Sequence, residues 1–210
     1  MSNHVASVRD SAEQAIFVIY PPREDSYLLA KYVKKYAFGK VLDIGTGSGI
    51  QAVMAAKKKT VKSVMAVDIN PKVIVHCKTT IKNKKITFKL SNLFSKVTGN
   101  FETIIFNAPY LPAIDGEDRD TAWAVAGGKR GHETIERFIT QAGKFLDKNG
   151  LILIIFSSLT NKGILDQLIA ENAFDFEQLE VIPVFMEKIY CYKITRNKAI
   201  LEAGKKIKGI

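Results

Sequence analysis

Between residues 24 and 157, short apolar runs and segments of helical periodicity alternate five times, and two further apolar runs then follow one another directly. Few architectures accommodate that order. Parallel neighbours in a sheet need a crossover connection, so the alternation predicts a mostly parallel sheet covered by helices on both faces. Residues 24–39, EDSYLLAKYVKKYAFG, place Leu28, Leu29, Tyr32, Val33 and Tyr36 on one helical face, and Gly39 stops the pattern. KVLDIG at 40–45 reads as a buried strand, GIQAVMAAKKK as a helix and SVMAVD at 63–68 as the next strand. Asn70 followed by Pro71 supplies an N-cap and a proline at the first helical position, which opens a helix through about Lys82. Strands are expected at 86–90 and 102–106. A helix carrying Ile135, Phe138, Ile139, Ala142, Phe145 and Leu146, closed by Asn149 and Gly150, precedes the strand LILIIFSS. Ile164, Leu165, Leu168 and Ile169 mark a further helix, and QLEVIPVFM and KIYCYKIT form an expected antiparallel hairpin.

The chain has 210 residues and shows no internal repeat or Pro/Ser-rich linker, which predicts one domain over 1–210 with an N-terminal extension at 1–20 and a basic tail at 197–210. A composition of 47% hydrophobic and 25% charged residues excludes wholesale disorder. The longest pure apolar run, residues 151–156, is far short of the roughly 20 needed to cross a membrane, and the polar start lacks the apolar stretch of a secretory signal. A cytoplasmic location without membrane contact is therefore expected. Cys77 and Cys191 are too few and too far apart for a metal pair and read as buried thiols of a reducing compartment. His4, His76 and His132 are scattered, and no metal is assigned.

The formal charge of +10 includes basic clusters at 57–59, 82–85 and 205–208. Such a balance suits either an acidic partner such as nucleic acid or a solubilising surface. No aromatic residues interleave with the lysines, so a stacking groove for single strands is not visible.

The first strand runs into Asp43, Gly45, Gly47 and Gly49, and a helix follows at once. Glycines at this turn let backbone fold tightly and approach a ligand at the carboxyl edge of the sheet. The spacing is GxGxG, unlike the GxGxxG of dinucleotide folds or the GxxxxGK[ST] of phosphate loops. Asp43, two positions before the first glycine, would repel a phosphate but suits an amino or sulfonium group. Asp68 ends the second strand 19 residues after Gly49, where such sheets hold a ribose. Together they describe a pocket for a nucleoside with an amino-acid tail and no phosphate, which is S-adenosylmethionine.

The fourth strand ends in Asn107, Ala108, Pro109 and Tyr110. The Asn107 amide and the Ala108 backbone carbonyl offer two acceptors that can hold both hydrogens of a planar NH2 group. Such a nitrogen is a poor nucleophile, and gripping it fixes it for attack on a methyl group without a strong general base. Pro109 restricts Ala108 to extended conformations, and Tyr110 can stack on the flat target.

Asn107-Ala108-Pro109-Tyr110 resembles the N-P-P-Y of the HemK-type class I methyltransferases, the protein N5-glutamine methyltransferases. Residues 20–26, YPPREDS, are similar to the Y-x-P-x-E-D-[ST] segment of that family's short branch, and residues 122–131 resemble its A-W-x-G-G-x-x-G loop with an insertion near Val125 and Ala126. The resemblance implies a Rossmann-like class I fold, S-adenosylmethionine as cofactor and Ser26 lying against it. It departs at Ala108, which replaces a proline but keeps its carbonyl, and at Ser91-Asn92-Leu93, where the family has Asp before Leu to accept from the adenine amino group. The first strand begins at Lys40, too early for the helical domain with which bacterial members dock release factors, and this matches the short branch. The resemblance further implies a small zinc-binding activator protein as partner and, as substrate, the glutamine of the GGQ motif in class I peptide chain release factors, or lysine in some relatives. An adenine amino group of RNA or DNA would suit the same grip, although base-modifying enzymes usually add a recognition domain or a long basic loop.

Overall fold

The computed structural model describes residues 21–109, 111–112, 126–128 and 132–199. Helix α1 spans Glu24–Tyr36 and leads to strand β1 at Gly39–Ile44, helix α2 at Ile50–Ala56, β2 at Val61–Asp68, α3 at Pro71–Thr80, β3 at Ile86–Leu90 and β4 at Phe101–Asn107. Two short strands, β5 at Leu111–Pro112 and β6 at Ala126–Gly128, pair with each other. Helix α4 at Glu133–Ala142, β7 at Leu146–Ser157, a 3-10 turn at Ser158–Thr160, α5 at Lys162–Glu171, β8 at Phe174–Val184 and β9 at Glu187–Arg196 complete the order.

Seven strands form one sheet in the order β3-β2-β1-β4-β7-β9-β8. Each neighbouring pair is parallel except where β9 runs against β7 and β8. The expected parallel sheet with a closing antiparallel hairpin is thus the observed fold. Strand order reverses between β1 and β4, so loops leaving those strands diverge to opposite sides and open a crevice at their carboxyl ends.

The period of two along each strand divides the core. Leu42, Ile44, Ile104, Phe106, Ile152 and Ile154 pack with α4 and α5, whereas Val41, Ile105, Leu153 and Ile155 pack with α1 and α2. Asp43 and Asn107 keep the parity of Val41 and Ile105, which puts them on the α1–α2 side. Phe138 on α4 is fully buried and stacks on Phe106 and Phe94 with ring centroids 4.5 Å and 5.5 Å apart. Each such buried ring stabilises the fold by about 1.5–3 kcal/mol through area alone.

Local chemistry explains the boundaries. Asn70 accepts from the Lys72 amide at 2.9 Å and caps α3, with Pro71 at the first helical position. Helix α1 opens with Glu24 and Asp25 and closes with Lys34 and Lys35, complementing its macrodipole. Cys77 and Cys191 are both buried and free.

One expected boundary is overturned. The helix predicted to run to Leu146 and close at Asn149-Gly150 stops at Ala142, and β7 begins at Leu146. Phe145 stacks on Phe94 at 4.7 Å and its carbonyl accepts from the Phe101 amide, so it enters the core beside the start of β4. Residues 147–150 then bulge opposite Glu102, because Phe101 pairs with Leu146 while Thr103 pairs with Leu151. Apolar side chains at helical spacing concealed a change of element. Among the described residues no helix is long and apolar enough to cross a membrane.

Candidate active site

Most of the residues singled out from the sequence converge on the carboxyl edge of the sheet. Asp43, Gly45, Gly47 and Gly49 follow β1, Asp68 ends β2, Asn92 and Leu93 follow β3, Asn107, Ala108 and Pro109 close β4, and Ser26 lies in the first turn of α1. Tyr110 lies outside the described residues, as do Tyr20, the N-terminal extension, and Trp123 with most of the loop around it. So does the tail beyond Ala199.

The turn after β1 is built on backbone that side chains resist. Gly47 has φ +52, and a Cβ there would meet nothing closer than the Gly45 carbonyl at 3.9 Å, so the space above it is open. Gly49 has φ +80, and a Cβ there would collide with Ile81 Cδ1. Four hydrogen bonds brace the turn. Thr46 Oγ1 and the Ala52 amide donate to Asp43 Oδ2 at 2.7 Å and 3.1 Å, the Gly47 amide donates to Asp68 Oδ2 at 3.0 Å, and the Cys77 thiol donates to the Gly47 carbonyl at 3.3 Å. Burial pushes the Cys77 thiol up to about 12, which keeps its proton in place for that bond.

Asp43 is only 1% exposed. Its position ties the turn to the first residues of α2 rather than lying open to a ligand's cationic group. Burial pushes its carboxyl up to about 7, against the lowering effect of its bonds from Thr46 and Ala52, with Asp68 adding a smaller push upward. Asp68 is shifted the same way by burial, opposed by amides including those of Asn70 and Gly47. Each of its oxygens receives one of those two amides, Oδ1 from Asn70 at 2.9 Å and Oδ2 from Gly47. A carboxylate oxygen can accept a second bond, so Asp68 keeps acceptor capacity for a pair of hydroxyls.

The decisive geometry is at Asn107. Its Nδ2 donates to Asp25 Oδ2 at 2.9 Å and to Ser26 Oγ at 3.5 Å, whereas its Oδ1 is buried and has no partner among the described residues. Because a carboxylate only accepts, Asp25 fixes which end of the amide is nitrogen. Asp25 is itself held, its Oδ1 accepting from the Ser26 amide at 2.7 Å. A buried acceptor without a donor costs about 1–3 kcal/mol, so the site stores an acceptor that awaits an N–H. Beside it the Ala108 amide donates to the Ile155 carbonyl at 3.2 Å, which anchors the end of β4 to β7.

Sequence reasoning passed over two residues here. Asp25 stood inside the segment that drew attention to Ser26, but its pairing with Asn107 spans 82 positions and has no local signature. Gln51, 3% exposed, donates from Nε2 to the Ser26 carbonyl at 2.8 Å and so clamps the first turn of α1 to α2.

Asn92 is placed differently from the others. It is exposed, and its Oδ1 accepts from Arg137 Nη2 at 3.1 Å, so the oxygen expected to face an adenine amino group already has a donor. Leu93 is buried at φ +47 inside a turn closed by Ser91, whose hydroxyl donates to the Leu93 carbonyl at 2.8 Å.

A sheet of this order, with a glycine turn after β1, a carboxylate ending β2 and an acceptor amide ending β4, defines a class I methyltransferase. The chain belongs to the methyltransferase small domain family, whose model matches residues 12–178. It is 38% identical, over 78% of its length and 90% of the relative's, to a Methanocaldococcus jannaschii protein named, by inference, a protein N5-glutamine methyltransferase. It is 32% identical to the release factor glutamine methyltransferase of Koribacter versatilis, over 55% of this chain and 45% of that one. Among solved structures it is similar to E. cuniculi Mtq2, solved with Trm112 as the complex that methylates the termination factor eRF1. The TM-score is 0.69 at 21% identity, over 85% of this chain and 99% of that one. The resemblance to HemK-type methyltransferases seen in the motifs is thereby borne out.

Proposed function

We propose that this methyltransferase modifies the side-chain amide nitrogen of a protein glutamine, namely that of the GGQ motif of a class I peptide chain release factor. The observation that carries the reading is Asn107 Oδ1, a buried acceptor whose amide is locked by Asp25. A site that presents an acceptor selects a substrate atom bearing hydrogen. The primary amide of glutamine has two such hydrogens, one for Asn107 Oδ1 and one for the Ala108 carbonyl. Holding both orients the nitrogen, and orientation of this kind contributes up to roughly 7–11 kcal/mol in the best cases. The names of the M. jannaschii and K. versatilis relatives support glutamine as the acceptor.

The donor side fits S-adenosylmethionine. Asp68 has acceptor capacity for ribose hydroxyls, and the positive φ of Gly47 leaves an open cradle above β1. When bound, the cofactor supplies an electrophilic methyl group. Gly45, Gly47 and Gly49 let the backbone approach it, Ser26 and Asn107 bound the pocket from α1 and β4, and Leu93 and Asn92 close it beyond β3. Pro109 and Tyr110 belong to the acceptor side of this reading.

The adenine reading is weakened by where the charge lies. The clusters at 57–59 and 82–85 occupy the loops entering β2 and β3, at the amino edge of the sheet, about 20 Å from the site at roughly 3.3 Å per residue. They form no basic track leading to Asn107. A small zinc-binding activator subunit, by analogy with the Mtq2–Trm112 pair, and a cytoplasmic setting complete the proposal.

The test is transfer of labelled methyl with release factor and RNA offered side by side, with and without an activator subunit. Label in the GGQ glutamine supports the reading. Label in RNA alone, or in lysine, overturns it in favour of an adenine or lysine acceptor.

A further inference from the structure

We infer that the tip of the β8–β9 hairpin, Phe185 and Met186, together with Leu159 on the 3-10 turn, is the surface on which the protein carrying the acceptor amide docks. This rests on the glutamine reading above. The occupant is the protein substrate, met through apolar side chains that flank its acceptor loop.

Exposure sets these residues apart. Phe185 is 89% and Met186 87% exposed, the most exposed large apolar side chains among the described residues, and Leu159 is 49% exposed. The turn also carries backbone cost. Met186 occupies the second position of a two-residue turn at φ +60, a place that glycine or asparagine fills without strain. Neither the apolar surface nor the left-handed methionine assists folding, and paired exposed apolar residues of this kind mark contact sites.

The tip is rigidly related to the acceptor clamp. Asn107 pairs with Ile155 and Ile155 with Cys191, so the tip stands two strands away and beyond the end of β7, about 20 Å from Asn107 by strand spacing and rise. The Ser157 hydroxyl bonds to the Glu187 carboxylate, and the Lys188 amide donates to Ser158 Oγ at 3.0 Å. Both bonds fasten the root of the tip to the end of β7.

Reach and charge select the occupant. A protein interface of standard size covers about 800 Å2 per partner, a patch roughly 30 Å across, so a single patch of that size takes in both Asn107 and the tip. A nucleic acid would seek lysines there, yet the described lysine clusters lie at the opposite edge of the sheet, and the tip is bordered by one acid and one base, Glu187 and Lys188.

The test is the double variant Phe185→Asp, Met186→Asp, assayed with intact release factor, with cofactor affinity measured by calorimetry and self-association by sedimentation. The expected result is a KM for release factor raised at least tenfold, with kcat and cofactor affinity unchanged and KM restored by Phe185→Leu, Met186→Leu. An unchanged KM, in a wild type that does methylate release factor, overturns this proposal alone. A lost dimer with unchanged KM also overturns it and assigns the tip to a second copy of the chain. Failure of the wild type to methylate release factor overturns the glutamine reading and this proposal together.

Discussion

Asn107 gives its amide nitrogen to Asp25 at 2.9 Å and keeps its oxygen buried, with no donor to it among the described residues. The side chain is therefore committed to accepting. Asp25 acts through Asn107, so its removal leaves the amide free to turn its nitrogen toward the substrate. Asp25→Ala is expected to lower kcat by roughly 5- to 150-fold, the equivalent of about 1–3 kcal/mol for one misdirected buried bond. Asp25→Asn recovers part of the loss, because its own oxygen can accept from Asn107. Steady-state kinetics beside cofactor calorimetry check this, with affinity expected to change far less than kcat.

Asn107→Ala removes the acceptor outright. Transfer is expected to fall by about 10²–10³-fold, as when one preorganised polar contact is lost from an active site. Stability is expected to change less than transfer, since a buried unsatisfied oxygen disappears while Asp25 Oδ2 loses its donor. Labelled-methyl transfer and a thermal melt on the same preparation separate the two effects.

Asp43 links stability to pH. Its carboxyl stands near 7 when folded against 3.8 ordinarily, so the native state holds the proton more tightly than the unfolded chain. Its contribution is fully present below about pH 4, is lost progressively as pH rises to about 7, and is flat above. The difference in unfolding free energy between wild type and Asp43→Asn should therefore decline across that window, by an amount on the order of a few kcal/mol. Urea unfolding at four pH values between 4 and 8 reads it directly. A difference that rises with pH would contradict the burial argument.

Gly49→Ala places a Cβ against Ile81 Cδ1 at a residue with φ +80. The backbone strain alone costs about 1–3 kcal/mol. Because Gly49 also caps α2, the expected signature is a lower denaturation midpoint together with weakened cofactor binding. Gly99→Ala, at φ +87 with no neighbour within 4 Å, is the control for strain away from the site.

How much of this was legible in the sequence follows from the range of the interactions involved. The strand ends at Ile44 and Asp68 were visible because a buried strand and its glycine or Asn-Pro turn are written in consecutive residues. So was the position of Asn107 at the end of β4. The helix expected across Phe145 and Leu146 failed because apolar residues at that spacing suit either element, and only their pairing with Phe101 decides between them. Asp25 and Gln51 were missed for a related reason. Each acts across elements distant in sequence, and nothing near an aspartate or a glutamine announces a partner on another strand. Asn92 was read by position alone, and only the fold reveals that Arg137 already donates to its oxygen.

The first turn of α1 precedes every strand of the sheet, yet through Asp25 and the Ser26 carbonyl it grips both β4 and α2. The catalytic unit therefore cannot be trimmed to its sheet. A fragment starting at Gly39 would retain the glycine turn and Asp68 while losing the restraint on Asn107, so it would become a holder of cofactor with an undirected acceptor. Segmental deletion would in that way divide two properties, binding and transfer, that the whole fold joins at a single amide.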